Sequence, residues 1–357
     1  MKESSKSTEH QARSIKMNRE RNQEITIFLL SLLSLKGIGS RTIIEIIDRF
    51  GDAITKTERL DASFALSLGI SKVEKALANS ALSWNEIEKN GYNTLETSRD
   101  LGAKILNPFS PGYPTRLLMK SNYPPILYCQ GDLNALSSEK AVAMVGTRKP
   151  TDFGARMGRR LAELLAADGY TIISGLALGC DSIAHEGALA VGGKTAAVLP
   201  TPIGAPIYPR QNQSLANRIL DSGGALVSEY PPNMKLNDKQ LMSNLVARDE
   251  WQSSLADGLI VFETKTDGGS RHAIEHALKT GVPVAAFDYS SRPAIDFKSD
   301  VRFGGNIKYL RSNGVSPIFE IQSVRIFKRK MSEYRETCAF EPPAKITAPF
   351  QTKLRLH

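Results

Sequence analysis

Apolar residues in the middle of the chain change from one spacing to another and back, which is typical of a strand, a helix and a second strand. A short apolar run at 141–145 is followed by a polar turn. From Gly154 to Leu165 apolar residues recur at helical spacing, and a second apolar run occupies 170–173. Two such runs joined by a helix predict parallel strands with a right-handed crossover. We therefore expect an α/β fold with a doubly wound parallel sheet.

The same alternation continues towards the C-terminus and predicts a larger sheet of this kind. We expect helices over 181–190, 212–222 and 271–280, and strands over 195–199, 225–228 and 258–262.

The region before the sheet has a helical pattern. An apolar helix from Ile27 ends at Lys36, the turn Gly37-Ile38-Gly39 exposes backbone N–H groups, and an amphipathic helix follows that Ser40 can cap. This is the helix-hairpin-helix pattern, whose turn can hold a DNA phosphate without reading bases; the alternative is a purely structural hairpin. Further short helices over 60–68, 71–79 and 83–90 predict a small all-α, SAM-like domain.

Proline and charge mark the domain boundaries. Five prolines between 101 and 135 exclude long regular elements there. We predict a basic flexible arm, a helical domain, an α/β domain and a basic C-terminal tail, at 1–23, 24–100, 101–321 and 322–357. The tail contains one stretch that forms either a short basic helix or a solvated segment.

The net charge of +9 suggests an acidic partner, but most of it lies at the two ends of the chain. Residues 1–22 hold six Lys and Arg against three Glu, and residues 322–357 hold eight against three. A nucleic-acid site in the α/β domain must therefore be a local patch. Three distant cysteines indicate a reducing cytoplasm, and neither a signal peptide nor a membrane-length apolar run is visible.

Small-residue loops follow several predicted strands, at the sheet edge where such folds bind ligands. Glycines let an anion approach the backbone, and arginine supplies a charged fork suited to phosphate. The alternative is that these glycines only serve tight turns. The spacing lacks GxGxxG, so no dinucleotide is expected. The candidate phosphate-binding residues are Gly146, Thr147, Arg148, Gly154, Ser174, Gly175, Gly269, Ser270 and Arg271.

Four motifs in order carry a resemblance to a known family. They are VGTRKPTDFG, SGLALGCDSIAHEGAL, GGKTAAVLPTPIGAPIYPRQNQSL and GGALVSEYPP, beginning at residues 145, 174, 192 and 223. Together they resemble the DNA-processing protein A (DprA/Smf) family over roughly residues 25–290. The resemblance implies an extended Rossmann-like domain that binds single-stranded DNA, forms a homodimer and helps load the RecA recombinase in transformation, without catalysis or cofactor. The winged-helix module of many members is not expected, because too few residues follow Ile321.

One segment departs from the family pattern. Where the family has Arg-Asn-Arg, this chain has Arg248-Asp249-Glu250, which removes one positive charge and adds two negative ones. Arg248 stays a candidate phosphate ligand, and we expect an altered DNA site because each neutralised phosphate contributes to affinity. Arg271 either replaces the missing arginine or is an exposed residue of its helix. Asp181 is expected to cap its helix.

Two other functions remain open at this level. The string GGSRHAIE is similar to a loop of the lonely-guy nucleoside phosphoribohydrolases, in which case Arg248, Glu263 or Glu275 would serve catalysis. A diverged family member could instead hold a nucleotide or act with a protein partner in a defence or toxin pair. His272 and His276 are spaced as a metal pair, but without HExxH we expect no metal site. Our prediction is a cytoplasmic, non-catalytic protein that binds single-stranded DNA.

Overall fold

The computed structural model describes residues 2–292 and 295–340, with side chains from residue 17 through residue 337. The chain divides into two compact units. The first contains the described residues up to Tyr113 together with Ser121–Leu127, and the second contains Pro114–Lys120 and the described residues from Tyr128 onward.

The first unit is helical apart from one short strand. Its elements are α1 (Lys2–Leu33), α2 (Ser40–Lys56), α3 (Ala62–Ser67), α4 (Ser71–Ala78), α5 (Trp84–Asp100) and β1 (Lys104–Leu106). Apolar faces of α1 and α2 form its core, in which Phe28, Leu29, Ile43 and Ile47 are fully buried. A Cβ at Gly91 of α5 would lie 2.5 Å from Ser31 Oγ of α1, so this glycine allows the two helices to pack closely.

Helix α1 begins at Lys2, whereas the sequence predicted a flexible arm over residues 1–23 and order only near Ile25. The segment has no proline or glycine before Gly37 and is rich in Lys, Glu, Gln and Arg, which have good helix propensity. A helix that is anchored by the buried residues from Ile25 onward can therefore extend back through this polar sequence.

The second unit is the predicted α/β sheet. Its strands are β2 (Leu127–Gly131), β3 (Ala141–Val145), β4 (Thr171–Ser174), β5 (Thr195–Val198), β6 (Ala225–Ser228), β7 (Leu259–Val261), β8 (Val284–Phe287) and β9 (Val315–Ile318). Its helices are α6 (Thr115–Leu118), α7 (Leu133–Leu136), α8 (Asp152–Ala167), α9 (Cys180–Ala190), α10 (Gln213–Asp221), α11 (Asp238–Ser254), α12 (Arg271–Lys279), α13 (Gly304–Leu310) and α14 (Ile321–Phe340).

Within this unit the described strands lie in the order β2-β6-β5-β4-β3-β7-β8-β9. Pairing is parallel from β6 to β9, and β2 is antiparallel to β6. The chain adds strands from β3 in one direction as far as β6, and then crosses to the other side of β3 to form β7. The loops after β3 and β7 therefore diverge and leave a crevice, the switch point at which doubly wound sheets bind ligands.

Every residue of β3 is buried, because helices cover both faces of the sheet and leave no solvent side for an alternating pattern. The core on one face contains a stack of aromatic rings, in which Phe262 and Phe287 are parallel with centroids 5.3 Å apart. This rigid core fixes where the neighbouring loops begin.

Helix α14 is part of this core, which corrects the prediction of a basic tail from residue 322. Its residues Val324, Phe327 and Met331 are buried among the residues that cover the sheet. A Cβ at Gly258 would lie 2.7 Å from Met331 Cγ, so the helix contacts the chain just before β7. The apolar stripe is sparse among lysines and arginines, which is why composition indicated a tail. The last predicted tail residues, 341–357, lie outside the described residues.

Across the described ranges, no helix combines the length and the apolar composition that crossing a bilayer requires.

Candidate functional site

A cavity of about 740 Å³ occupies the switch point of the second unit. Its walls are formed by the loop after β3, the loop after β7 that leads into α12, the start of α9 with the loop before it, one side of α11, and Arg302 in the turn before α13. The predicted residues that line it are Gly146, Thr147, Arg148, Arg248, Gly269 and Ser270. The sequence also predicted Gly154, Ser174, Gly175 and Arg271, and the structure does not include these four among the lining residues.

The loop after β3 is fixed by hydrogen bonds to the chain just after β7 on one side and to the start of α9 on the other. Thr147 N donates to Glu263 O at 2.7 Å, and Thr147 O accepts from Cys180 N at 3.1 Å. A Cβ at Gly146 would lie 2.6 Å from Cys180 Sγ, so only glycine fits between the strand end and α9. The loop thus presents Arg148 and Lys149 at the cavity rim. Both side chains are exposed, and neither forms a hydrogen bond or ion pair with any described residue.

Arg248 projects from α11 into the cavity floor and is only 4% exposed. Its Nη1 lies 3.6 Å from Asp181 Oδ2, and its Nε lies 3.4 Å from Asp249 Oδ1. A Cβ at Gly175 would overlap the Arg248 guanidinium, so the glycine in the loop after β4 provides the space that the arginine occupies. Ser174 is fully buried, and its Oγ donates to Met144 O at 2.6 Å. The Ser174-Gly175 loop therefore supports Arg248.

The two carboxylates beside Arg248 are buried as well. Asp181 Oδ2 accepts from Gly175 N at 3.2 Å and from Ala177 N at 3.3 Å. The expected N-cap role of Asp181 is therefore wrong, since Gly179 is the N-cap of α9 and Asp181 bonds to the preceding loop instead. Burial raises the pKa of the Asp181 carboxyl above its ordinary value, against the opposing effect of Arg248.

Asp249 lies on the cavity side of α11, and its Oδ1 accepts from Gln252 Nε2 at 2.9 Å. Burial raises the pKa of Asp249 to about 6, while the positive charges of Arg248 and Arg148 act to lower it. With both acids ionised, the floor holds two carboxylates and one guanidinium and is negative overall. The departure from the family's Arg-Asn-Arg pattern thus changes the charge of the cavity itself.

The loop after β7 contributes the second stretch of accessible backbone. Gly269 has open space at its Cβ position, and Ser270 precedes α12 as its N-cap without a side-chain hydrogen bond to the helix. Lys265 is exposed at the rim, whereas Arg302 is paired with Asp300, its Nε lying 2.8 Å from Asp300 Oδ2. The predicted N-terminus of α12 therefore faces the cavity, while Arg271 is exposed outside it.

Gly154 has a structural role in the same region. Glu263 Oε2 accepts from Thr151 N at 2.7 Å and its Oε1 accepts from Thr151 Oγ1 at 2.6 Å, at the N-terminus of α8. A Cβ at Gly154 would overlap this carboxylate. The hydrogen bonds satisfy both oxygens of Glu263, and burial raises the pKa of its carboxyl.

Of the residues that the enzyme and metal alternatives require, Arg248 and His272 line the cavity, whereas Glu263, Glu275 and His276 do not. His276 Nδ1 lies 3.9 Å from Glu250 Oε2, and burial lowers the pKa of this imidazole. In the described part of the chain, no group of three or more His, Cys, Asp or Glu side chains could hold a metal ion.

The sequence did not predict several of the residues that line the cavity. Met242 and Val246 are 50% and 40% exposed and form an apolar wall with Leu245 on α11. Their spacing of four within a polar helix was the available signal. Lys149 was visible as the residue after Arg148. Gln252 gave no signal, because an isolated glutamine is common on helix surfaces.

The helix-hairpin-helix turn belongs to the first unit. Gly37 has φ +91°, a conformation that favours glycine, and Gly39 is the N-cap of α2, without a side-chain cap. Ser40 is the first residue of α2 rather than its cap. Both glycines are exposed and Ile38 between them is buried, so the turn presents backbone to solvent.

A doubly wound α/β sheet with glycine loops and basic side chains around its switch-point cavity defines a Rossmann-like protein. The family model for DNA recombination-mediator protein A matches residues 104–301. The chain therefore belongs to this family. Protein Smf of Escherichia coli (strain K12) is 41% identical over 174 residues, which are 49% of this chain and 45% of that protein. The chain thus spans less than half of that relative's length.

Two solved structures are similar to this chain. DNA processing protein A from Streptococcus pneumoniae has a TM-score of 0.62 at 23% identity, covering 85% of this chain and 97% of that one, and supports the fold. DNA processing protein A from Helicobacter pylori has a TM-score of 0.54 at 26% identity, covering 65% of this chain and 97% of that one. The Helicobacter structure is described as revealing a unique mode of single-stranded DNA binding by that protein.

Proposed function

We propose that this chain binds single-stranded DNA at the switch-point cavity, as a non-catalytic DNA-processing protein. The observation that carries the proposal is the rim: Arg148 and Lys149 are exposed there, and neither has an ion-pair partner in the described part of the chain. Exposed cations without an ion-pair partner attract phosphates without reading the bases. Family membership and the DNA-binding mode of the Helicobacter relative support this choice.

The rim of the cavity is positively charged and its floor contains two carboxylates, so the phosphates and the other parts of a bound strand belong in different places. Phosphates belong at the rim, near Arg148, Lys149 and Lys265, and at the loop Gly269-Ser270, because Asp181 and Asp249 repel them from the floor. Arg248 is balanced by these two acids, so we assign it the role of holding the floor together rather than binding phosphate.

The apolar wall of α11 gives the bases a place to lie. Met242 and Val246 are exposed side chains facing the cavity, and apolar contact with a base is tolerant of sequence. We therefore expect little base specificity.

The family resemblance motivates finer parts of the proposal. They are a cytoplasmic location, a homodimer, and delivery of a RecA-type recombinase to the bound strand. Light scattering tests the dimer, and a strand-exchange assay with RecA tests the delivery. Incubation with nucleoside monophosphates tests the absence of catalysis, since release of free base would establish a phosphoribohydrolase instead. A protein partner in a defence pair is the alternative if no strand binds.

The first test is fluorescence anisotropy with a labelled oligothymidylate at two salt concentrations. Arg148→Ala should weaken binding about 10-fold and reduce the slope of log K against log salt by about 0.7, the value expected for one lost phosphate contact on a single strand. Arg271→Ala is the matched control, because this arginine is also exposed and nearby but lies outside the cavity. Equal losses in both variants would contradict binding at the cavity.

A further inference from the structure

Several polar atoms in the cavity floor have no hydrogen-bond partner. Arg248 Nε and Nη1 are buried donors without an acceptor at hydrogen-bond geometry, and Gln252 Oε1 is a buried acceptor without a donor. Gln252 is 1% exposed and Arg248 is 4% exposed, and both line the cavity. Buried polar groups in native proteins are nearly always hydrogen-bonded, so these atoms point to a ligand group that completes the site.

The missing ligand group must both donate and accept. Gln252 Oε1 lacks a donor, while Nε and Nη1 of the Arg248 guanidinium lack an acceptor with hydrogen-bond geometry. A phosphate only accepts and is repelled by the two carboxylates. A hydroxyl has one donor and two acceptor lone pairs, which matches this mixed floor.

The position of the floor relative to the rim restricts which hydroxyl fits. Arg148 and Asp249 line the same cavity, so one ligand can contact both the rim cation and the floor carboxylate. The ligand must therefore carry its hydroxyl beside a phosphate. In a polynucleotide the 2′-hydroxyl of ribose has this arrangement, since it is next to the 3′-phosphate, and deoxyribose within a strand has no hydroxyl.

We propose that the cavity takes a ribonucleotide, with its phosphate at Arg148 and its 2′-hydroxyl donating to Asp249 or Gln252 and accepting from Arg248. The inference rests on the proposed function in that it uses the same cavity and rim. It changes the preferred strand: the floor discriminates in favour of ribose, and the shared chemistry is that of an RNA strand or a free ribonucleotide.

The test compares strands that differ only at the sugar 2′ position. Labelled 15-mers of oligouridylate, oligodeoxyuridylate and 2′-O-methyl-oligouridylate are titrated against the full chain by anisotropy. We expect the ribose strand to bind about 10-fold more tightly than the deoxyribose strand, in line with one good hydrogen bond to a charged group. The 2′-O-methyl strand should lose this advantage, because it keeps the oxygen and loses the donor.

Variants of the floor residues test whether the floor of the cavity causes the preference for ribose. Asp249→Asn should weaken the ribose preference to about 2-fold while strengthening binding of the deoxyribose strand, because one negative charge is removed. Gln252→Met is the second variant, as it keeps the side-chain length and removes the acceptor. Arg271→Ala should leave the preference unchanged.

The mononucleotide arm uses 3′-UMP and its 2′-deoxy analogue as competitors. Displacement by 3′-UMP alone assigns the site to free ribonucleotides, and a preference seen only with the 15-mers assigns it to an RNA strand. Equal affinities for the ribose and deoxyribose strands overturn the ribose inference and leave single-strand binding intact. A wild-type protein that binds none of these probes overturns both proposals.

Discussion

Arg248 lies between Asp181 and Asp249 in the floor of the cavity, so its charge is balanced before any ligand arrives. The Gly175 position gives the guanidinium its space, and a Cβ there would overlap it. The sequence predicted Arg248 as a phosphate ligand, but in the structure it pairs with Asp181 and Asp249. We therefore propose Arg148 and Lys149 as the phosphate ligands, since their exposed side chains have no ion-pair partner among the described residues.

At this scale the raised pKa of Asp249, about 6, predicts a pH-dependent stability. A carboxyl whose folded-state pKa lies above its unfolded value near 3.9 stabilises the fold fully below the unfolded pKa, and this contribution is lost as pH rises through about 6. Asp249→Asn removes the titration. The free energy of unfolding of the variant relative to wild type should therefore rise by about 1–3 kcal/mol between pH 4 and pH 7.5.

Urea denaturation at the two pH values measures this difference. Asp300→Asn is a control of opposite sign, because the hydrogen bond from the Arg302 side chain lowers the pKa of Asp300. That stabilisation is present above the unfolded pKa and is lost as pH falls. A relative stability of Asp249→Asn that does not change with pH would contradict the assignment.

Among the elements, α14 shows how a basic sequence becomes part of a core. Its buried residues Val324, Phe327 and Met331 pack beneath the sheet, and Arg335 Nη1 lies 3.3 Å from the buried Asp257 Oδ2. Asp257 also accepts from Arg116 Nε at 2.7 Å, so the helix is attached by both apolar and ionic contacts.

Met331→Ala should therefore destabilise the protein by about 2–5 kcal/mol, since it removes a fully buried side chain from a packed site. Thermal unfolding followed by circular dichroism measures the effect. Ile326→Ala on the same helix is the matched control, because Ile326 is 41% exposed, and a change within about 0.5 kcal/mol is expected there. Similar losses in the two variants would mean that α14 is not buried in solution.

On the scale of the whole molecule, both units present glycine turns beside exposed basic side chains. The first unit presents the exposed turn with Gly37 and Gly39, and Arg41 is exposed in the first turn of α2. The second unit presents the rim of the cavity. Because contacts with phosphates contribute independently to salt-dependent affinity, each unit can be tested by its own variants.

We propose the helix-hairpin-helix turn as an additional phosphate contact and expect Arg41→Ala to weaken binding of a long oligothymidylate about 3-fold, with a smaller salt slope. Lys72→Ala is the matched control, since Lys72 is a cation exposed in the first turn of α4. If Arg41→Ala and Lys72→Ala both leave the affinity unchanged, the turn has only a structural role.

The sequence by itself determined the parallel strands from β3 to β7 and the glycine loops after β3 and β7, but it did not predict α11, β8 or β9. Short buried runs such as 141–145 require cover on both faces, and glycine after a strand marks a close approach of the backbone, so local pattern was sufficient. The four ordered motifs also identified the family that the match at 104–301 shows.

The tertiary structure alone decided which glycines line the cavity: Gly146 and Gly269 do, and Gly154 and Gly175 do not. Gly154 and Gly175 stand in the same kind of motif as Gly146, yet they accommodate Glu263 and Arg248. The charge of the floor was equally hidden, because residues 181 and 249 are distant in sequence and their carboxylates meet around one guanidinium only when α9 and α11 reach the same edge of the sheet. The ion pairs of a charged side chain and its burial depend on which residues are neighbours in space, and the spacing of residues along the sequence does not give those neighbours.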